Sequence, residues 1–274
     1  MERPCKRRRT IEPESQVPTP PASECEGVST KLLDSATAIL FEQAAAVTNI
    51  HNLYQTNELA RKSLANAVAA ILQGQSRRGK VIICGVGKSA YIGMKLTATC
   101  KSLGIAASFM HACEAAHGDL GDVRSDDVVL FISYSGKTPE LLNLRPHIPL
   151  STRMIVVTSK MTREECLLIS DRDDGILLPA PVHKSEEECF GVTAPTTSTT
   201  VALAVADMLA LIVADQLHGD EKGRVFKRNH PGGAIGMRHE EVEAVRKDCV
   251  DVSILELPSP SISAKDEDSS SEAI

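Results

Sequence analysis

Three stretches of this 274-residue chain hold residue types that could grip an anion. The strongest is Ser133-Tyr134-Ser135-Gly136-Lys137-Thr138. Its hydroxyls, a glycine that lets the backbone come close, and the start of a following helix can all donate to one cluster of phosphate oxygens. Ser and Thr also cap helices everywhere, so a turn plus a cap is the plainer reading of the same residues. A second hydroxyl cluster, Thr196-Thr197-Ser198-Thr199-Thr200, follows Pro195. Alone it is an N-cap with some excess; together with the first it suggests a polyol phosphate. The third stretch is Gly85-Val86-Gly87-Lys88-Ser89. A nucleotide P-loop would need a glycine at position 82, where Ile82 stands. A dinucleotide fingerprint matches at Gly85 and Gly87, but Ala90 takes the third place, and the second strand ends in His111 where an acid for the ribose is needed. What remains is a turn into a helix N-terminus with a lysine beside it, which suits an anion.

The elements that must carry these loops are legible in the hydrophobic pattern. Leu33, Ala36, Leu40, Ala44 and Val47, then Ala60, Leu64, Ala67 and Ile71, recur at the three-to-four spacing of a buried face and predict two helices. Short apolar runs then alternate with helical segments: 81–84, 107–110, 128–132, 154–157 and 175–178. Strands apolar throughout and separated by helices predict a parallel sheet covered on both faces. The Ala- and Leu-rich stretch from about Thr197 to Leu217 predicts a closing helix. Ligands of such open sheets bind at the carboxyl ends of the strands, where the Gly85–Ser89 and Ser133–Thr138 stretches fall, while Thr196–Thr200 opens the closing helix.

Composition narrows the class. Residues 1–27 carry Pro4, Pro13, Pro18, Pro20 and Pro21 among Ser, Thr and Glu and predict a disordered tail. Residues 28–250 predict one domain, and the polar residues 251–274 a second tail. Lys6 to Arg9 form a basic cluster of the kind read by nuclear import receptors, or else a solvated charge run. A net charge of −6, 3% aromatic residues and no Trp argue against a nucleic-acid-binding domain, which needs cations and stacking rings. Val201 to Ala214 is interrupted by Asp207 and falls short of the ~20 residues that span a bilayer, so no membrane anchor is expected. No apolar run follows the N-terminus, so no secretory signal is expected and the location is read as cytoplasmic, or nuclear through the basic cluster. The eight cysteines form no Cys-x-x-Cys pair and read as reduced thiols.

Five motifs stand in the order and spacing of a known family: Gly85-Val86-Gly87-Lys88-Ser89, the run from His111 through His117 to Gly121, Ser133-Tyr134-Ser135-Gly136, Ala194-Pro195 with the five hydroxyl residues behind it, and His230-Pro231-Gly232-Gly233-Ala234-Ile235-Gly236. Over about residues 30–240 the chain resembles the sugar isomerase (SIS) domain proteins, and among them the arabinose 5-phosphate isomerase branch. The resemblance implies an α/β fold, a three-layer αβα sandwich around a five-stranded parallel sheet. It also implies a sugar-phosphate aldose–ketose isomerase that interconverts D-arabinose 5-phosphate and D-ribulose 5-phosphate through an enediol, without metal or cofactor. Lys88, Glu140, Glu187 and His230 match the catalytic positions of that branch. The glutamate is placed at 187, within one residue, by counting back from Cys189 and Ala194-Pro195.

Gly87, Ser89, His111, His117, Ser133, Ser135, Gly136, Thr138, Thr196 and Ser198 match substrate-binding positions, and His111 could take up a metal adventitiously. A first-turn Glu such as Glu140 is also a favourable partner of a helix dipole, and a Glu run is also a solvated charge cluster. In related isomerases the histidine at position 230 reaches into a neighbour's site, which implies a homo-oligomer, a tetramer by the family's habit. Many members continue into a pair of cystathionine-β-synthase (CBS) modules; this chain turns polar and stops soon after residue 250, so regulation through such modules is not expected. The rival reading is a catalytically silent module that senses a phosphosugar, for which the hydroxyl clusters would suffice and Glu140, Glu187 and His230 would be unnecessary.

Overall fold

The computed structural model describes residues 22–231. The Lys6–Arg9 cluster, the glycines after Pro231 and the predicted tail over 251–274 lie outside the described residues. The first helix starts at Ala22, inside the segment read as an N-terminal tail.

The chain opens with α1 (Ala22–Thr56) and α2 (Glu58–Ser76), then alternates as β1 (Val81–Gly85), α3 (Lys88–Ser102), β2 (Ala107–His111), α4 (Ala112–Ala115), β3 (Val128–Ile132), α5 (Pro139–Leu144), β4 (Arg153–Thr158) and β5 (Ile176–Pro179). It ends with α6 (Glu186–Phe190), α7 (Thr197–His218) and α8 (Lys222–Arg228). Each of the five predicted strands is present, with its ends no more than about one residue from the expected ones. All pair in parallel in the order β2-β1-β3-β4-β5.

Alternate side chains divide the core. Val81, Ile83, Leu130, Ile155, Val157 and Leu178 meet α1, α2, α3 and α7 on one face. Ile82, Cys84, Phe131, Met154 and Val156 meet α4, α5 and the loop through Leu168 and Ile169 on the other. Every second residue faces each layer, so strands buried on both faces must be apolar throughout, as their sequences are. The opposite rim of the sheet is closed by Asp127, whose buried carboxylate accepts from the backbone N–H of Lys80 at 2.8 Å and of Arg124 at 2.9 Å, and pairs with Lys80 Nζ at 2.9 Å.

Two expectations are corrected. On α2 the periodic face turns inward, with Ala60, Ala67 and Ile71 buried. On α1 it turns outward: Leu33, Leu40 and Val47 are exposed, Leu40 to 66%, as are Ala36 and Ala44. Ala46 and Ile50 are buried instead, with Glu42 and Gln43 half-buried beside them. Periodicity revealed an apolar face but not its direction: Ala46 and Ile50 join the core, and Glu42 and Gln43 beside them hydrogen-bond to the 183–189 segment and to α7. Length also fails as an argument against a membrane span: the helical stretch Thr197–Arg228 is long and apolar enough to cross a membrane, by length and composition. Half of its most apolar window is buried inside the domain, where Val201, Val205, Leu209 and Val213 pack on the sheet.

Candidate active site at the carboxyl edge of the sheet

The chain reverses its direction of winding between β1 and β3, and the loops after these neighbouring strands open a crevice at their carboxyl ends. After β1, Gly87 takes φ +58°, a backbone that favours glycine, and starts α3 at Lys88. After β3, Ser133 is buried, and its hydroxyl shares a 2.7 Å hydrogen bond with that of Thr138, the N-cap of α5. Ser135 Oγ accepts from the Lys137 N–H at 3.3 Å. Gly136 stands at φ +66°, where an added Cβ would lie 3.0 Å from Cys166 Sγ.

A cavity of about 470 Å³ lies on the α3 and α7 side of this edge. Lys88 and Ser89 line it from α3, Tyr134 from the loop after β3, Thr158 and Ser159 from the end of β4, Glu186 and Glu187 from α6, and Ser198 from α7. Of the residues singled out from sequence, Lys88, Ser89, Glu187 and Ser198 therefore come together. Ser133, Ser135, Gly136, Thr138 and Glu140 do not line the cavity; their loop reaches it through Tyr134 alone and turns towards Cys166 and α5. Glu140 is exposed on the first turn of α5. His111 and His117 do not line it either: His111 ends β2, and its Nδ1 accepts from the Cys113 N–H at 3.3 Å, while His117 is exposed. Among the described residues no group of three His, Cys, Asp or Glu is arranged to hold a metal ion.

His230 is at the far end of the domain. Its ring stacks on Phe226 at 4.1 Å, its Nδ1 pairs with the Phe226 carbonyl at 2.8 Å, and its Nε2 pairs with Ser102 Oγ at 3.2 Å. Ser102 is the last residue of α3 and Lys88 the first, so at 1.5 Å per residue the two ends are separated by about 21 Å. His230 cannot reach the cavity of its own chain.

The three consecutive glutamates have three different surroundings. Glu188 belongs to the cap of α6: Ser185 N–H donates to its carboxylate at 2.8 Å, and Glu188 N–H donates back to Ser185 Oγ at 3.2 Å. Glu186 is buried and sits at the N-terminus of α7, where it accepts from Thr196 N–H at 3.0 Å, Ser198 N–H at 2.9 Å and Ser198 Oγ at 2.5 Å. Burial by itself would raise its pKa; the hydrogen bonds from Ser198 and Thr196 outweigh that and hold it below the ordinary 4.5. Glu187 is exposed into the cavity, and its side chain makes no hydrogen bond or ion pair among the described residues. Burial, with Glu186 nearby, also raises the Tyr134 phenol, which stays a proton donor at neutral pH.

Sequence reasoning placed Thr196 and Ser198 on the substrate, yet Glu186 occupies both of their backbone N–H groups. Glu186 itself was missed. The Ser185-x-x-Glu188 spacing is a readable capping signal that assigns Glu188 to the helix, but nothing local marks Glu186 as the partner of residues ten and twelve positions on.

Comparison with known proteins identifies the family. The SIS domain model matches residues 75–212. An uncharacterized Helicobacter pylori protein is 33% identical over 243 residues, covering 89% of this chain and 67% of the relative. The arabinose 5-phosphate isomerase KpsF of Escherichia coli is 32% identical over 219 residues, covering 80% of this chain. The chain spans 62% of the length of KpsF. Among solved structures, an Escherichia coli CFT073 protein in complex with arabinose 5-phosphate superposes with a TM-score of 0.59 at 33% identity, covering 71% of this chain and 97% of that one. With the doubly wound five-stranded sheet, the crevice between the loops after β1 and β3, and the matched motifs in register, the chain belongs to the SIS domain family.

Proposed function

We propose that the protein is a sugar-phosphate aldose–ketose isomerase that interconverts D-arabinose 5-phosphate and D-ribulose 5-phosphate through an enediol. The observation that carries this reading is that a free carboxylate, Glu187, and the Lys88 ammonium line one cavity at the carboxyl edge of the sheet. Moving a proton between C1 and C2 needs a base that can take it from one carbon and return it to the other. Glu187 is the carboxylate free to do so, because Glu186 and Glu188 are committed to hydrogen bonds. Lys88 supplies positive charge for the oxygen that becomes anionic in the enediolate. A cavity of about 470 Å³ suits a small polyol, and Ser89 on the first turn of α3 offers a donor to its phosphate, with the Ser133–Thr138 loop reaching the cavity through Tyr134. KpsF and the relative solved with arabinose 5-phosphate support the choice of sugar.

In this scheme Glu140 serves the oxygen protons and His230 the ring opening; neither lines the cavity of its own chain, and His230 can act only from a second copy. The outward apolar face of α1, with Leu33, Leu40 and Phe41 exposed, supports a homo-oligomer, tetrameric as in the family. No metal, cofactor, nucleic acid or membrane takes part in the reading, and the location proposed with it is cytoplasmic, or nuclear through the Lys6–Arg9 cluster.

The test follows solvent deuterium into C1 or C2 by NMR for arabinose 5-phosphate, ribulose 5-phosphate and hexose 6-phosphates. Exchange is expected with the pentose phosphates, and in Glu187→Gln turnover falls by about 10²-fold or more while binding changes little. Absence of exchange with every sugar phosphate sinks the isomerase reading and leaves a phosphosugar-binding module.

A further inference from the structure

Glu187 stands on a helix that cannot hold its own position. α6 is five residues long, far below the length at which a helix is stable alone. Its capping box, between Ser185 and Glu188, fixes its local shape and nothing about where it lies. Glu186 anchors one side to α7. A second anchor comes from α1, more than a hundred residues earlier in the chain.

The half-buried carboxylate of Glu42 on α1 gathers three donors that bracket α6. His183 Nε2 stands at 3.0 Å and Lys184 Nζ at 3.1 Å, both just before the helix, and Cys189 Sγ donates at 3.7 Å from within it. The hydrogen bonds from Lys184 and then His183 hold the Glu42 carboxyl below its ordinary value. The next residue, Gln43, accepts from Thr200 Oγ1 at 3.2 Å, on the first turn of α7. Two adjacent residues of one long helix thus hold both segments that close the cavity from that side.

We propose that Glu42 is a positioning residue: by binding the segment on either side of Glu187 it sets the direction of that carboxylate towards Lys88. Glu42 does not line the cavity, and its hydrogen bonds act through the backbone of 183–189. A base displaced by about 1 Å from the reacting carbon can lose up to about 10²-fold in rate, so a loosened α6 should appear in turnover more than in binding. The activity half of this inference rests on the isomerase reading; the tether itself does not.

The experiment compares wild type, E42A and E42Q as full-length chains. It measures hydrogen exchange by mass spectrometry over 183–191 and over β1 and β3, together with kcat and KM on D-arabinose 5-phosphate. In E42A the exchange rate over 183–191 is expected to rise by about 10-fold with the strands unchanged. kcat should fall by about 10-fold or more while KM stays within about 2-fold. E42Q keeps one acceptor oxygen and should recover part of both losses. Unchanged exchange over 183–191, exchange that rises equally in β1 and β3, or raised exchange with unchanged kcat would each overturn the proposal. A wild type inactive on every sugar phosphate defeats the isomerase reading instead, and the exchange comparison then still decides the tether.

Discussion

Replacing Glu186 by Ala strips a carboxylate from the start of α7 and leaves three donors behind. Thr196 is exposed, so its N–H can turn to water at little cost. Ser198 is buried, and both its N–H and its hydroxyl lose their acceptor. An unsatisfied buried donor costs about 1–3 kcal/mol, and the neighbouring cavity admits some water, so the two together cost about 2–4 kcal/mol. For a domain of about 150–250 residues each kcal/mol moves Tm by about 2–4 °C, which gives a drop of roughly 5–15 °C by calorimetry at pH 7. Glu186→Gln keeps an oxygen on the Ser198 donors and should lose less.

The pH dependence has a definite sign. Glu186 has its pKa lowered in the folded protein, so its charge contributes stability above the unfolded value of about 4.5 and loses it as pH falls through the lower folded value. The gap between wild type and Glu186→Gln should be full at pH 6–7 and shrink as the pH drops below about 4.5. A Glu186→Ala protein melting within about 2 °C of wild type, or a Gln gap that widens on acidification, would refute the reasoning.

Gly136→Ala puts a side chain at φ +66° with its Cβ 3.0 Å from Cys166 Sγ. The left-handed backbone alone costs about 1–2 kcal/mol, so thermal melting should show a loss of at least that size, and affinity for the sugar phosphate, followed by calorimetry, should weaken as the Ser133–Thr138 loop shifts. Burial pushes the thiols of Cys84 and Cys100 up to about 12, with Cys113 adding to the effect at Cys84, and Asp207 at Cys100. Thiolate is the reactive form, so at pH 8 both should label about 10³-fold more slowly than an ordinary thiol. The exposed Cys113 should be labelled first of the five cysteines from 84 to 189, read by peptide mass spectrometry of the native protein.

The sheet and its order of loops were legible because a strand buried on both faces has no polar alternative. Val81 to Cys84, Val128 to Ile132 and Met154 to Val157 could be little else, and the Gly85–Ser89 and Ser133–Thr138 motifs then had to fall at strand ends. Three matters were settled only by tertiary contacts. The apolar stripe of α1 gave a face without a direction, and the side that packs inward is the one carrying Ala46 and Ile50 with Glu42 and Gln43. His230 was placed by Phe226 and Ser102 at the end of α3 remote from Lys88, a distance no local spacing encodes. Glu186, Glu187 and Glu188 are chemically identical in the sequence, and successive helical residues point about 100° apart. Which of them remains free for chemistry depends on Ser185 for one neighbour and on Ser198, a full loop away, for the other.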